Sequence, residues 1–476
     1  MSKELETDVV IVGAGSSGLA AAMTASAGGA RVIVLEKLPV PGGTSLFAEG
    51  LFAVESTLQA RENVTLTRDE AFKSHMMGTH WRANAALVRA FVDMSADTVE
   101  WLQGFGVEFA NVISLWPGGP RTWHMVKGGG KALIDVLSEN VQQSGVQIYL
   151  GTPFVGFVMD EQGRIAGVVA QDKEGNTIQI KAKAVILSAG GFTSNADMLA
   201  EHTSAVAGAR PVIDLHQTGE PIRAAWEIGA TPSGENVLLS IPCVAGETPH
   251  SHLWAAGIQP QLWINKLGQR FCDESIYFQF PYSANVLANQ IDGVMYCIFD
   301  EQAKQAMVEQ GIPIGLGVFV PPGSKLDRLD AALERGIEGG NAFVADSLEE
   351  LGQKLNVDGE TLRETVAAYN ANCDAQHDAL FAKVPSFLQP VKTTRFYAVK
   401  SSYHVFTTLG GIKINHKTEA LNEKQEVIPG LYATGNCASG MYGEDYEVFS
   451  SGGALSFAIG SGRIAGKSVL KYLGNV

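Results

Sequence analysis

The sequence has few cysteines and no long apolar run, and these absences exclude several classes of protein. Its five cysteines never occur in CxxC spacing, so we expect reduced thiols, no disulfide framework and no metal site. No stretch of about 18 apolar residues is present, which argues against a membrane span. The first apolar run is too short for a secretory signal and ends in glycines. The predicted location is cytoplasmic.

Basic residues are also sparse. Thirty-five Lys and Arg stand against 50 Asp and Glu, and the formal net charge is −15. The Lys and Arg residues form no cluster, so we expect no binding to nucleic acid or to an anionic membrane. With 476 residues, 46% of them hydrophobic, the chain is long enough for two or three domains of a globular enzyme.

A strand–helix–strand pattern opens the chain. The β-branched run Val9–Val12 leads into Gly13, Gly15 and Gly18 in GxGxxG spacing, and a second strand ends near Glu36. The first glycine permits a tight turn, the second lets the backbone approach a pyrophosphate, and the third lets the helix pack on the strand. An acid at the end of the second strand accepts hydrogen bonds from a ribose hydroxyl. The pattern predicts a site for FAD or NAD rather than NADP.

A second glycine pair follows directly. Gly42-Gly43, with Thr44 and Ser45 after it, is expected to form another loop against the phosphates and ring of the ligand. A plain Pro-Gly turn is the alternative interpretation of this loop. No second GxGxxG unit is present to bind a separate nicotinamide nucleotide, so electrons are expected to come from, or go to, an external partner.

The middle of the chain changes in character. From about Val146 the strands are predicted to be antiparallel around the turn signals "DEQGR" and "DKEGN". A buried strand, Ala184–Phe192, then ends in glycines, and Gly219–Ala230 has the pattern of an amphipathic helix. Next comes a region richer in proline and aromatic residues, with the hairpin-like "LWINKLGQRFCDES". We interpret that region as an inserted domain.

The predicted fold class is α/β. It consists of a Rossmann-type domain, with a parallel sheet and an antiparallel excursion, and an inserted α+β capping domain. The predicted boundaries are 1–235 for the first part of the nucleotide domain, 236–406 for the cap, and 407–476 for the C-terminal part of the nucleotide domain.

Four sequence elements occur in fixed order along the chain: "VVIVGAGSSGLAAAM…VIVLEK", "PGGTS", "AVILSAGGF" and "PGLYATGNCASG…GGALSFAIGSGRIAG". Together they resemble one flavoprotein family, over nearly the whole chain. That family contains the flavin subunits of fumarate reductase and succinate dehydrogenase, the 3-ketosteroid Δ1-dehydrogenases and urocanate reductase. The resemblance implies FAD as the cofactor. The FAD is expected to be non-covalent, because "GGTSLFAEG" lacks the histidine that the succinate dehydrogenase branch uses for attachment.

The resemblance also implies which residues hold FAD. In the family the last helix points its N-terminus at the flavin pyrimidine edge, where backbone amides and the helix dipole stabilise the reduced anion. Asn436 is expected to contact the ribityl chain. The predicted FAD residues are Gly13, Gly15, Ser16, Ser17, Gly18, Glu36, Lys37, Gly42, Gly43, Thr44, Ser45, Val155, Ala189, Gly190, Gly191, Gly435, Asn436, Gly453, Ala454 and Leu455.

The chain departs from the fumarate-reducing members at three charged positions. The proton-donor arginine would fall within Ile276–Phe278, a histidine would stand at Thr407, and an arginine at Ser450. Without these groups the site lacks the charge-assisted bonds that hold two carboxylates. This argues against fumarate or succinate as substrate.

Tyrosines take the place of those charges. Tyr446 is the predicted electrophilic donor, because the ketosteroid dehydrogenases carry Tyr-Pro in the corresponding loop and there polarise a ketone. Tyr403 and Tyr277 are the candidate bases, and a packing role is the alternative for each tyrosine. His404 is either a proton relay or a buried, satisfied side chain. Arg121 either binds one carboxylate or is an exposed loop arginine.

These residues predict an FAD-dependent oxidoreductase that acts on a CH–CH bond next to a carbonyl. The favoured reaction is α,β-dehydrogenation of a cyclic ketone, with a small ketone or enone as substrate. One alternative is an enone or acrylate C=C reductase fed by an external donor. Another is a degenerate flavin-binding electron carrier that turns over no substrate.

Overall fold

The computed structural model describes residues 3–205, 207–317 and 319–475. Its strands are β1 Lys3–Glu6, β2 Val9–Val12, β3 Val32–Glu36, β4 Gly50–Phe52, β5 Phe109–Ile113, β6 Trp123–Val126, β7 Gln147–Leu150, β8 Phe154–Met159, β9 Ile165–Gln171, β10 Thr177–Lys181, β11 Ala184–Leu187, β12 Arg210–Pro211, β13 Pro232–Ser233, β14 Leu238–Cys243, β15 Leu262–Ile264, β16 Val294–Asp300, β17 Ala342–Ala345, β18 Phe396–Thr408, β19 Gly411–Ile412, β20 Glu419–Leu421 and β21 Val427–Ala433.

Its helices are α1 Ser16–Ala27, α2 Thr57–Arg61, α3 Arg68–Gly78, α4 Ala85–Gly104, α5 Gly129–Gln143, α6 Ala196–His202, α7 Glu220–Glu227, α8 His252–Gly257, α9 Phe280–Ala288, α10 Glu301–Glu309, α11 Leu329–Glu338, α12 Leu348–Leu355, α13 Gly359–Ala375 and α14 Gly453–Leu473. Within the described ranges, none of these helices combines the length and apolarity needed to cross a membrane.

The chain folds into two compact units. The first contains the described residues of Met1–Ser204, Ile213–Leu239 and Thr407–Val476, and the second those of Ala205–Val212 and Ser240–Phe406. The predicted boundaries placed Ala205–Val212 in the nucleotide domain. Those residues instead lie with the second unit, where β12 pairs in parallel with β18.

A six-stranded sheet of order β20-β21-β11-β2-β3-β7 forms the centre of the first unit. The strands from β21 to β7 run parallel, and β20 is antiparallel to β21 at the edge. Strands β2 and β11 are buried at every position, as expected for apolar strands covered on both faces. Because the strands are parallel, the turns that follow β2, β3, β11 and β21 all lie at the C-terminal ends of the strands, on one side of the sheet.

A separate four-stranded sheet of the first unit has the order β1-β10-β9-β8, with β1 parallel to β10. Strands β8, β9 and β10 are antiparallel around the two predicted turns, which confirms that part of the prediction. The predicted antiparallel run nevertheless begins too early. Residues Gln147–Leu150 form β7, which pairs in parallel with β3 in the central sheet.

Helices α1 and α14 of the first unit pack closely because glycines face the neighbouring backbone. A Cβ on Gly462 would lie 2.2 Å from the carbonyl oxygen of Ser17, and one on Gly466 would lie 2.6 Å from Cβ of Thr24. No larger side chain fits at this separation. The first residues of α1 and of α14 are therefore held in a fixed relation.

The second unit is built on a sheet of order β12-β18-β16-β15, with β14 and β17 also paired to β18. The hairpin predicted around "LWINKLGQRFCDES" does not form. Strand β15 pairs with β16 instead, and Asn265 closes a tight turn with Gln269 through a backbone bond of 2.9 Å. The chain then enters a 3₁₀ turn at Glu274–Gln279.

A charge cluster, made of Arg270, Glu274, Asp378 and Lys383, lies in the second unit. The Arg270 guanidinium donates to Glu274 and to Asp378 through bonds of 2.9 to 3.0 Å. The Lys383 ammonium lies 3.1 Å from Glu274 and donates to the Pro260 carbonyl at 2.7 Å. All four side chains are at most 4% exposed. The two cations and two anions balance, so each buried charge has partners.

Candidate functional site

The predicted pyrophosphate turn lies between β2 and α1. Gly13 has φ 108°, and a Cβ there would lie 2.4 Å from the carbonyl oxygen of Ser188, so this position requires glycine. A Cβ on Gly18 would lie 1.9 Å from the Gly13 carbonyl oxygen. A Cβ on Gly15 would approach only Gly42, at 3.7 Å. The turn is thus tightly constrained at its base and open beside Gly15.

Glu36 ends β3 next to this turn. Its Oε2 accepts a 2.8 Å bond from the Ala14 amide, and its Oε1 accepts one of 2.8 Å from Leu38. Burial raises the pKa of Glu36, although these backbone bonds oppose the shift. A carboxylate oxygen accepts more than one hydrogen bond, so either oxygen can still accept from a ribose hydroxyl. The neighbouring Lys37 donates to Thr218 at 2.6 Å.

The second glycine loop lies against the first. Gly42, with φ 125°, donates to the Ala14 carbonyl at 2.9 Å. Residues Gly43–Phe47, which include Thr44, form a 3₁₀ turn. The Ser45 hydroxyl donates to that of Ser16 at 2.8 Å, at the first residue of α1 and beside Ser17. The two predicted loops therefore meet at the N-terminus of α1.

The remaining predicted FAD residues lie at the ends of other strands of the first unit. Gly190, with φ 82°, follows Ala189 after β11, and a Cβ on Gly191 would lie 2.0 Å from the Thr408 hydroxyl. After β21 the Gly435 amide donates to Ser461 at 2.9 Å. Three further placements complete the set: Asn436 donates to Thr407 at 2.7 Å, Val155 is 60% exposed on β8, and Gly453, Ala454 and Leu455 begin α14.

The start of α14 is held against β4. Gly452, with φ 81°, accepts a 3.2 Å bond from the Phe52 amide, and Ser456 donates to the Phe52 carbonyl at 2.8 Å. Within the described residues, the amides of Ala454 and Leu455 make no backbone hydrogen bond, and the Ala454 amide donates to the Tyr446 hydroxyl. Amides without a backbone partner at a helix N-terminus attract electron-rich groups.

These features fit FAD. The open side of Gly15 and the N-terminus of α1 suit a pyrophosphate, and Glu36 has acceptor capacity for a ribose. The Leu455 amide and the dipole at the start of α14 suit the electron-rich edge of the flavin ring. The residues that would hold the cofactor come from separate strand ends of the central sheet, where ligands of open α/β sheets bind.

Two tyrosine hydroxyls lie beside the start of α14. A Cβ on Gly453 would lie 3.5 Å from the Tyr442 hydroxyl, and the Tyr446 hydroxyl accepts a hydrogen bond from the Ala454 amide. The two rings are 5.1 Å apart, centroid to centroid, and 5% and 7% exposed. The two hydroxyls are close enough that their contact raises the pKa of Tyr442 and lowers that of Tyr446, but the Tyr442 hydroxyl has no hydrogen-bond partner at good distance and angle among the described residues.

The environment keeps both phenols protonated. Burial raises the pKa of Tyr446 to about 12, and the Glu447 carboxylate adds to the effect, while the Ala454 amide opposes it. Burial, Tyr446 and Glu447 raise the pKa of Tyr442 well above its usual value. Because the Tyr446 oxygen accepts from Ala454, its own proton is available to donate. At neutral pH the pair can polarise or protonate a ligand oxygen but cannot act as a base.

A buried polar group that no sequence motif marks lies behind the tyrosines. The Nε2 of His75, on α3, lies 2.7 Å from the Met441 carbonyl oxygen. Its Nδ1 lies 2.9 Å from the Ser450 hydroxyl and 3.0 Å from Glu447 Oε2. A short stretch "HMMG" on a polar helix has no distinguishing spacing, so only the fold reveals these contacts.

Arg121 is committed to its own neighbourhood. Its Nε and Nη2 donate to the Val112 carbonyl at 3.0 and 2.8 Å, and it forms an ion pair with Glu62. The guanidinium thus already has its partners on β5 and beside α2. The arrangement favours the structural interpretation of Arg121 over carboxylate binding.

The other predicted catalytic residues lie in the second unit. The Tyr403 hydroxyl accepts a 2.8 Å bond from Ser240, and burial raises its pKa. Burial also raises the pKa of Tyr277, whose ring packs edge-on to Trp263 at 6.4 Å. Burial lowers the pKa of His404, whose Nδ1 donates to the Ser402 carbonyl at 3.0 Å. These environments favour protonated phenols and a neutral imidazole over the predicted bases and relay.

Comparison with known proteins identifies the family of this chain. The model of the family "FAD binding domain" matches residues 8–450. The chain is 33% identical over 489 aligned positions to the vinyl phenol reductase of Lactiplantibacillus plantarum, with 99% of this chain and 98% of the relative covered. It is 29% identical to the fumarate reductase (cytochrome) of Shewanella frigidimarina, over 98% of this chain and 77% of the relative.

A solved structure shows the same fold. The 3-ketosteroid Δ1-dehydrogenase of Sterolibacterium denitrificans, in complex with 1,4-androstadiene-3,17-dione, superposes with a TM-score of 0.83 at 20% identity. The match covers 98% of this chain and 99% of that one.

Proposed function

This chain belongs to the FAD binding domain family and is an FAD-dependent oxidoreductase of C=C or CH–CH bonds, and from that premise we propose that it reduces the C=C bond of an uncharged, oxygen-bearing substrate. The oxygen is the carbonyl of an enone or the hydroxyl of a vinylphenol. The direction is reduction, in contrast to the dehydrogenation that the sequence favours.

The observation that carries the proposal is the unpartnered hydroxyl of Tyr442 beside the start of α14. A buried hydroxyl without a partner costs about 1–3 kcal/mol, so it is expected to have a ligand partner when the protein works. Tyr446 offers a second phenolic proton 5.1 Å away, measured between ring centroids. Two neutral donors suit an uncharged oxygen, which they polarise without the desolvation cost of a buried charge.

The reaction adds a hydride to one alkene carbon and a proton to the other, so one π bond is lost and two C–H bonds form. FAD, when reduced and bound, supplies the hydride. The tyrosines bind the substrate oxygen and hold the alkene in place. With an enone, they also stabilise the negative charge that moves to the carbonyl oxygen as the hydride arrives, and the α-carbon then takes its proton from water. The two electrons come from an external donor.

The relatives support reduction of an uncharged substrate. The vinyl phenol reductase is 33% identical over nearly the whole length of both chains. The fumarate reductase is more distant, and the three positions where its branch carries charges hold uncharged residues here.

The test is anaerobic reoxidation of the photoreduced protein by 4-vinylphenol, cyclohexenone, acrylate and fumarate. We expect 4-vinylphenol or cyclohexenone to restore the oxidised flavin spectrum, and fumarate to fail. If fumarate reoxidises the flavin as fast as either neutral alkene, the neutral-substrate proposal is wrong. If no alkene does so, the protein is better described as an electron carrier.

Tyr442→Phe sharpens the test. Removal of an unpartnered buried hydroxyl is expected to leave the melting temperature unchanged or higher, and to lower the flavin reoxidation rate about tenfold or more. Tyr149→Phe, which removes an exposed hydroxyl bonded only to Gln147, is the matched control. A Tyr442→Phe variant as fast as wild type would reject a role for this hydroxyl.

Dehydrogenation of a cyclic ketone remains a second candidate, because the Tyr446 hydroxyl, whose oxygen accepts from the Ala454 amide, keeps its own proton free to polarise a ketone. The same preparation distinguishes the two directions. Bleaching of the oxidised flavin by cyclohexanone under anaerobic conditions would support dehydrogenation.

A further inference from the structure

His75 contacts both ends and the middle of the loop that carries the two tyrosines. One imidazole, 0% exposed, approaches the Met441 carbonyl through Nε2, and the Glu447 carboxylate and the Ser450 hydroxyl through Nδ1. Tyr442 and Tyr446 lie between those three contacts. We infer that His75 and Glu447 form a clasp that positions the tyrosine pair at the start of α14 for the proposed reduction.

The contacts fix where protons must lie. The Met441 carbonyl is only an acceptor, so His75 Nε2 carries a proton and donates it. Nδ1 lies 3.0 Å from Glu447 Oε2, so a proton carried by one of these two atoms joins them. The Glu447 carboxyl group also accepts hydrogen bonds from the amides of Phe449 and Ser450. The clasp is therefore a buried, hydrogen-bonded pair of polar side chains that contacts the loop at several points.

The neighbouring backbone is shaped around the carboxylate. Gly78 is the last residue of α3, and a Cβ there would lie 2.8 Å from Cγ of Glu447. An alanine at Gly78 would thus displace Glu447 without removing any polar group of the clasp. Alanine also has the higher helix propensity, so a loss of activity would not follow from a weaker helix.

This inference rests on the proposed function, because it makes His75 and Glu447 positioning residues rather than groups that touch the substrate. A merely structural pair would stabilise the first unit without affecting how fast reduced flavin reacts once substrate has bound. The positioning role instead predicts a fall in the limiting rate at saturating alkene. FAD content and half-saturating alkene concentration should change much less.

The experiment compares Gly78→Ala and Glu447→Gln with wild type, each as the FAD-loaded protein. The first readout is the limiting rate of flavin reoxidation at saturating 4-vinylphenol or cyclohexenone. The second, independent of turnover, is hydrogen–deuterium exchange of the peptide that spans residues 441–450. We expect the limiting rate to fall about tenfold or more in both variants. Exchange of the loop amides should become faster.

Two matched control variants distinguish displacement of Glu447 from non-specific effects of a substitution. Gly104→Ala changes the last residue of α4, where a Cβ would contact nothing within 4 Å. Glu444→Gln removes an exposed carboxylate from the same loop, where it pairs with Arg82 at the surface. Both controls should keep the wild-type rate and exchange pattern.

The outcomes distinguish the two proposals. If wild type reacts with an alkene and Gly78→Ala and Glu447→Gln match it in rate, the positioning role is wrong, even if loop exchange has risen. If exchange is unchanged in both variants, the clasp itself is wrong. If wild type reacts with no alkene, the proposed function fails, while the exchange result still decides whether His75 and Glu447 hold the loop.

Discussion

The molecule contains two buried polar clusters with opposite designs. In the second unit, the charge cluster pairs every group: Arg270 alone makes bidentate contacts with both Glu274 and Asp378. In the first unit, the clasp joins one histidine to one glutamate, and the adjacent Tyr442 hydroxyl makes no hydrogen bond of good geometry among the described residues. Complete pairing is typical of a structural network, whereas one unpaired donor beside a helix N-terminus is typical of a ligand site.

The largest expected effect concerns stability and falls on the charge cluster. Arg270→Met leaves two buried carboxylates with only Lys383 as a countercharge, and should lower the free energy of unfolding by about 3–5 kcal/mol. Urea unfolding of the holoprotein measures the change. Arg363→Met, on α13 and 56% exposed, should cost less than about 1 kcal/mol. Equal effects of the two substitutions would contradict the structural assignment of the cluster.

The next effect concerns activity and falls on the tyrosine pair. Tyr446→Phe removes the donor that the Ala454 amide orients, and should lower the limiting rate of flavin reoxidation about 100-fold, roughly 2.7 kcal/mol. Its melting temperature should stay near that of wild type. A large loss of stability with unchanged rate would show that Tyr446 belongs to the structural type of cluster.

The smallest effect is a contrast in pH dependence. Burial acts against ionised Asp378, but Arg270 lowers its pKa to about 2 from 3.8, so its stabilising contribution is present above pH 3.8 and is lost as the pH falls toward 2. Tyr446 has its pKa raised to about 12 from 10.0, so its contribution is present below pH 10 and is lost as the pH rises toward 12.

Unfolding midpoints measured across both pH ranges test this contrast. Asp378→Asn should remove part of the acid loss, and Tyr446→Phe part of the alkaline loss. If either variant keeps the full wild-type slope in its own range, that group does not carry the effect assigned to it.

The sequence predicted the nucleotide end of the first unit better than its reactive end. The positions of Gly13 and Gly18 could be predicted, because only glycine tolerates the close backbone contacts made there and the motif that contains them is local in sequence. The antiparallel strands around the two turn signals were predictable for the same reason. Strand β7 was not, because pairing with β3 depends on a long-range contact that alternation within Gln147–Leu150 does not encode.

The reactive end depends on residues that are far apart in the chain. His75 meets Glu447 across more than 370 positions, and neither belongs to a motif. A structural role for Arg121 could be considered from the sequence, but its ion-pair partner Glu62 could not be predicted. Tyr446 was predicted through the resemblance, but Tyr442 was not, and the missing partner of the Tyr442 hydroxyl is a property of packing alone.

The glycine contact between α1 and α14 gives the first unit a mechanical property. Helix α1 begins at the predicted pyrophosphate turn, and helix α14 begins at the amides beside the tyrosines. At Gly462 the two helices are in contact, with no room for a side chain between them. An alanine at Gly462, in the middle of α14, would push α1 and α14 apart and shift the N-terminus of one helix relative to that of the other. Binding of the nucleotide and the position of the amides beside the tyrosines are thus coupled, so a substitution that changes one disturbs the other.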